Sequence, residues 1–154
     1  MVSITAMHTD STAQNVIADS VLLRGTVRTH DPEVQDLAEE RLRRIVTQTA
    51  AAYGAEAEID YFRNYPVTVN HETETDYAVE AARRVSDNVR TDAPLIMGGE
   101  DFSFMSNARP GAYILVGNGD SAQVHNPNYN FNDDAIPAGC SWYVEMAESR
   151  MPLG

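Results

Sequence analysis

Residues 31–54, "DPEVQDLAEERLRRIVTQTAAAYG", read as a long helix with one face that has to be covered. Asp31 suits the cap, Pro32 the first helical position, and Gly54 the position just past the end. Val34, Leu37, Ala38, Leu42, Ile45, Val46, Thr49 and Tyr53 recur at three- and four-residue spacing, an apolar stripe that asks for a sheet. Glu39–Arg43 and Glu40–Arg44 pair one helical turn apart on the wet face. The flanks supply strands. "VSITAMHT" (2–9) and "VIADSVLLRGTVRT" (16–29) are β-rich, with partial alternation at Val21, Leu23, Gly25 and Val27. The polar "DSTAQN" between them predicts an antiparallel hairpin with a longer loop, and "AEAEIDYF" (55–62) alternates with period two as a third strand. The first part is therefore expected to run strand–strand–helix–strand.

The second part is less regular. "RNYPVTVNHET" (63–73) reads as a linker with Pro66 and Asn70 as breakers, and a helix over about 72–87 turns Tyr77, Ala78, Ala81, Ala82 and Val85 inward. An extended piece leads into "GGED". "GAYILVGNG" (111–119) reads as a buried strand between glycines, and a last helix runs from Asp133–Pro137 to about Met151. The expected class is α/β, an α+β piece over residues 1–64 and an α/β piece over 65–154. Neither piece is a complete layer structure, so each looks like the end of something larger.

Composition removes several functions. Net charge is −12 with all eleven cations Arg, a field that repels phosphate backbones and anionic membranes. The single cysteine, Cys140, excludes an intramolecular disulfide and a cysteine-based zinc cage. No apolar run reaches the roughly 20 residues a membrane span needs, and the N-terminus has no signal-peptide pattern, so a cytoplasmic, soluble chain is expected.

Three groups of residues carry possible chemistry. In "SAQVHNPNYNFNDD" (121–134), His125 sits among Asn, Pro and Asp; the surroundings suit a turn, or a rigidly held metal ligand whose other ring nitrogen an Asn orients. In "MGGEDF" (97–102), Glu100 and Asp101 either cap a following helix or orient a ligand or metal-bound water. Asn15 and Arg28 could converge as an amide and a guanidinium on a substrate carboxylate, or be a turn former and a strand residue paired with Asp31 or Glu33. His8, His30 and His71 show no metal-ligand spacing, and no Ser-His-Asp signature or phosphate loop is present.

The ordered blocks "NVIADSVLLRGTVRTHDPEV…LAEERLRRI", "YPVTVN", "MGGEDFSF", "PGAYILVGNG" and "VHNPNYNFNDDAIPAG" closely resemble the di-metal amidohydrolases: hippurate hydrolases, N-acyl-L-amino-acid amidohydrolases and auxin-conjugate hydrolases, relatives of aminoacylase and carboxypeptidase G. Members of that family are about two and a half times longer, a catalytic α/β domain interrupted by a smaller lid or dimerisation domain. The resemblance implies that residues 1–64 are the later part of the lid and 65–154 the chain's return into the catalytic domain. It implies His125 as the last metal-binding histidine, Asn15 and Arg28 as lid residues holding substrate across a homodimer, and Glu100 and Asp101 as near-site residues. It also implies two divalent ions (Zn or Mn) that activate water for hydrolysis of an N-acyl amino acid amide bond. The family's cysteine–histidine motif, paired glutamates and mid-chain histidine have no counterpart here, and Ala18 stands where Pro is usual. The expectation is a C-terminal fragment that binds metal weakly or not at all by itself, and that self-associates through uncovered edges. The alternative is an inactive remnant serving as an oligomerisation or binding module.

Overall fold

The computed structural model describes residues 1–152. They fall into two compact units, Met1–Val67 with Ile96–Glu100, and Thr68–Leu95 with the chain from Asp101 on.

In the first unit β1 (Val2–Thr9) and β2 (Val21–Val27) form the expected antiparallel hairpin, pairing Val2 with Val27 and Thr9 with Val21. The register shifts between Ile4 and Ala6, a bulge that leaves Thr5 out of the ladder. Gly25 faces it; any side chain there would strike the Ser3 carbonyl. Asp10 closes the long loop, its carboxylate accepting the Asp19 N–H at 3.2 Å and the Ser20 N–H and hydroxyl at 3.0 Å each.

Helix α1 (Pro32–Ala52) begins and ends as its sequence requires. Asp31 accepts from the N–H groups of Glu33 (2.7 Å) and Val34 (3.3 Å). At the other end Gly54 adopts φ +72°, with Gly54 N–H donating to Ala51 O and Ala55 N–H to Ala50 O, the paired bonds of a Schellman motif.

Two expectations for this unit fail. Residues 55–62 form no strand. They lie beside α1 with Ala57, Ile59 and Tyr61 half-buried and the alternate residues exposed, so the period-two pattern persists without a ladder. Arg43 holds the Ile59 carbonyl at 2.9 Å, and Arg63 reaches back to Asp36 (2.6 Å) and Glu39 (2.7 Å). These bonds keep the Glu39 carboxyl below its usual range, first through Arg63 and then through Arg43. Burial, then the Glu39 charge, raises the Tyr61 hydroxyl. The α1 stripe, moreover, does not pack on the hairpin: Val34, Leu37 and Ile45 stay 51%, 45% and 57% exposed. The physical reason is shared, since a strand needs a paired neighbour and a stripe needs a full sheet, and one hairpin is too narrow to provide either.

In the second unit α2 (Glu72–Val85) packs on α4 (Ala135–Arg150). Ala78 and Ala81 are buried between them, and Trp142 donates its indole N–H to the Ala78 carbonyl at 3.0 Å. Arg84 joins Glu80 on α2 to Glu145 on α4, and the Arg150 guanidinium lies 3.5 Å from the centre of the Tyr77 ring. The short α3 (Phe102–Ala108) sets Phe102 beside Tyr113, ring centres 5.6 Å apart. The expected strand at 111–119 is also missing as a ladder. Instead the Asn70 side chain pairs with both backbone groups of Tyr113 (2.8 and 2.9 Å), and His71 pairs with both those of Gly111. Two polar residues ahead of α2 thus stand in for a neighbouring strand.

Candidate functional site

The loop 118–134 is built by asparagines. Asn118 donates to Ser121 Oγ and to the Asn130 carbonyl (both 2.8 Å) and accepts from Asn132 N–H at 2.7 Å, tying the two ends of the loop together. Inside it, Asn126 N–H donates to Gln123 O at 3.1 Å, closing a turn that puts His125 at φ +67°. Among the described residues it is the one non-glycine with positive φ. That conformation costs an L-residue about 1–2 kcal/mol, a strain that clusters at functional positions.

The ring itself is exposed, and no described residue hydrogen-bonds it. Of the asparagines expected to orient it, Asn126, Asn128 and Asn130, none bonds the ring; the Asn126 side-chain oxygen accepts the Asn128 N–H at 2.9 Å. An open hollow of about 630 Å³ is lined by Asn118, Asp120, Asn128, Asn130, Asn132 and Asp133, without His125.

Glu100 and Asp101 precede α3, but the capping alternative does not hold for Asp101. It occupies the cap position in a helical conformation and makes no side-chain cap bond.

Asn15 lies in the turn at the far end of the hairpin. Arg28 is at its base, its N–H donating to Met1 O at 2.9 Å and its carbonyl accepting from the Met1 amine at 2.7 Å. The seven residues of β2, a strand length of roughly 20 Å, lie between them in the hairpin. The ordinary alternative for Arg28 also fails, since Asp31 is engaged at the start of α1 and no ion pair joins Arg28 to it or to Glu33 among the described residues. Arg28 is half-buried, and its guanidinium lies against Gly99, with Tyr65 alongside. Sequence reasoning missed Gly99 and Tyr65 as its neighbours, and missed Asn118, Asn70 and His71. Asparagine spacing around a Pro-Asn loop was the only available signal for Asn118.

No group of three or more His, Cys, Asp and Glu residues suited to a metal ion occurs among the described residues. No described helix is long and apolar enough to cross a membrane.

Alongside the hairpin and helix, the α2–α4 unit and the asparagine-stapled histidine loop, residues 3–149 match Peptidase family M20/M25/M40. The chain belongs to that family. It is 33% identical to the N-acetylcysteine deacetylase of Bacillus subtilis over 96% of this chain and 38% of that protein. It is 31% identical to the hippurate hydrolase of Campylobacter jejuni over 88% of this chain and 36% of that protein. Among solved structures it resembles the Bacillus subtilis YXEP protein, a dinuclear metal binding peptidase of the M20 family, with a TM-score of 0.72 and 33% identity over 95% of this chain and 40% of that one. The chain therefore spans about two fifths of the length of such relatives.

Proposed function

We propose that this chain supplies the lid hairpin and helix and the closing part of the catalytic domain of an M20 amidohydrolase acting on N-acyl amino acids. The observation that carries the reading is the family match over residues 3–149, which includes the strained histidine of the 118–134 loop. In this reading His125 is one ligand of a site for two divalent ions, Zn or Mn, which when bound supply an activated water. Arg28 grips the carboxylate of the substrate, Asn15 holds its carbonyl in the site of the other subunit of a homodimer, and Glu100 and Asp101 stand near the reacting bond. Separation of Asn15 from Arg28 by the hairpin's length supports their serving two sites rather than one. A reducing, cytoplasmic setting accords with the lone exposed thiol of Cys140.

One experiment tests this. The corresponding segment of the Bacillus subtilis N-acetylcysteine deacetylase is replaced by this chain, and metal content and hydrolysis of N-acetyl amino acids and hippurate are measured. The chimera should bind two metal ions and hydrolyse, and His125→Ala should lose metal and activity together; a folded His125→Ala chimera that keeps both would sink the assignment. The second reading, an oligomerisation or binding module without catalysis, is favoured by the uncovered apolar side chains of β1 and β2, and it gains if the chimera folds but never hydrolyses.

A further inference from the structure

We propose that Gly99 is a positioning residue for Arg28: the lack of a side chain at 99 creates the seat in which the guanidinium lies, with Tyr65 as its wall, ready for a carboxylate ligand. The carboxylate part rests on the reading of Arg28 given above; the seat does not.

Three observations carry it. First, a Cβ placed on Gly99 would collide with Arg28 Nη1, and would stand 3.3 Å from both Arg28 Cζ and Tyr65 Cδ2. Contacts that tight mean that the guanidinium rests directly on the Gly99 backbone. No positive φ is involved at this glycine, so the requirement is for space and not for conformation. Second, the other end of Arg28 is fixed: its backbone is bonded on both sides to Met1, so the side chain cannot retreat by shifting its own main chain. Any bulk at 99 must therefore move the guanidinium. Third, Arg28 is half-buried as a residue, yet no described carboxylate or carbonyl accepts from its guanidinium, in a chain with 23 Asp and Glu against 11 cations. Arg43, Arg63, Arg84 and Arg90 pair with carboxylates, and Arg28 is among the arginines that do not. An arginine held in place with its donors unspent is suited to a planar, bidentate acceptor, and a carboxylate is the matching class. The neighbouring Gly98 has no such role, since a Cβ there meets only the Ile96 side chain at 3.7 Å.

The test uses the whole 154-residue chain, isotopically labelled, and follows the Arg28 Nε–Hε signal by NMR. The probes are hippurate and its uncharged amide. Hippurate should move the signal and the amide should not, while Gly99→Ala should weaken hippurate at least about tenfold, or ~1.4 kcal/mol, with the hairpin amide signals in place. Gly98→Ala should bind as the wild type does. Melting provides the second measurement. Gly99→Ala should lower the midpoint more in the wild-type background than in an Arg28→Ala background, where only the 3.3 Å approach to Tyr65 remains. Equal hippurate binding by Gly99→Ala and wild type, or an equal melting loss in both backgrounds, overturns the positioning role. If the melting coupling appears but hippurate leaves the wild-type signal unmoved, the carboxylate reading fails and the seat stands.

Discussion

Trp142 should be the side chain on which the second unit depends, and the size of that dependence follows from its contacts. It is half-buried, its indole N–H is bonded to the Ala78 carbonyl at 3.0 Å, and the fully buried residues among those described in that unit are the small Ala78, Ala81, Ser103 and Ser106. Replacement by Phe removes the N–H but keeps a ring. Ala78 lies inside α2, so its carbonyl keeps its helical donor and no acceptor is orphaned; the lost bond then costs about 1 kcal/mol. The smaller ring also gives up some apolar contact with α2, worth roughly another 0.5 kcal/mol at half burial. For a unit of this size about 1.5 kcal/mol corresponds to a drop in melting midpoint of roughly 6–12 °C. Trp142→Ala, at the ~3 kcal/mol lower end for a large aromatic, should remove the cooperative transition of the unit altogether. Val144→Ala is the control, because Val144 lies on the same helix at 55% exposure and should change stability by less than about 0.5 kcal/mol. Thermal melts followed by helical circular dichroism measure all three. A Trp142→Phe midpoint equal to wild type, or a Val144→Ala loss as large, would refute the reasoning.

Four further outcomes are expected. Gly54→Ala should destabilise the end of α1 by about 1 kcal/mol because only φ is at stake at +72°, whereas Gly139→Ala, inside α4 with no neighbour within 4 Å, should stabilise by up to about 1 kcal/mol; chemical denaturation gives both signs. Asp31→Ala should lose about 1 kcal/mol of α1 by removing the acceptor for Glu33 and Val34, read as helicity against temperature. The Glu39 carboxyl is held down by Arg63 and Arg43, so its contribution is present above the ordinary value of 4.5 and is lost as pH falls through the lower folded value. Glu39→Gln should therefore flatten the acid limb of the melting profile, and an unchanged limb would show that the ion pairs do not pin residues 57–63. His125→Gly should stabilise the 118–134 loop by about 1 kcal/mol while His125→Ala does not, since only glycine relieves φ +67°; equal stabilities would mean that the strain is absent.

Local signals were read well where the chain answers them locally. Asp31, Pro32 and Gly54 bound α1, β1 and the closing helix end within a residue or two of expectation, and Ala78 and Ala81 are inward on α2. The strands at 55–62 and 111–119 were misjudged because periodicity records which side is covered and not whether a neighbour is present to pair the backbone. Ala57, Ile59 and Tyr61 keep the alternation beside a helix, and Tyr113 takes an asparagine side chain as its partner. At the site, the composition of the loop pointed to His125, but its strained backbone came only with the turn closed by Gln123. The contact of Arg28 with Gly99 joins residues 71 positions apart, and no spacing rule reaches that far.

The incomplete strands and the uncovered stripe have one quantitative consequence. The chain exposes 12672 Å². Two separate compact domains, each of half its mass, would together expose roughly 9,300 Å², so the excess of about 3,400 Å² belongs to the units themselves and not to any gap between them. Exposed apolar side chains include those where the sequence asked for a sheet: Val34, Leu37 and Ile45 of α1, Leu22 and Leu23 of β2, and Leu115 and Val116. Apolar surface on this scale, flanked by strand edges with free N–H and C=O groups, favours association. In light scattering the isolated chain should therefore be larger than 17.0 kDa. Joined to the remaining elements of an M20 enzyme, as in the deacetylase chimera, the same surfaces should become protected from hydrogen exchange. A monodisperse 17.0 kDa species that does not bind a hydrophobic dye would mean that the α1 stripe and the strand edges need no further cover.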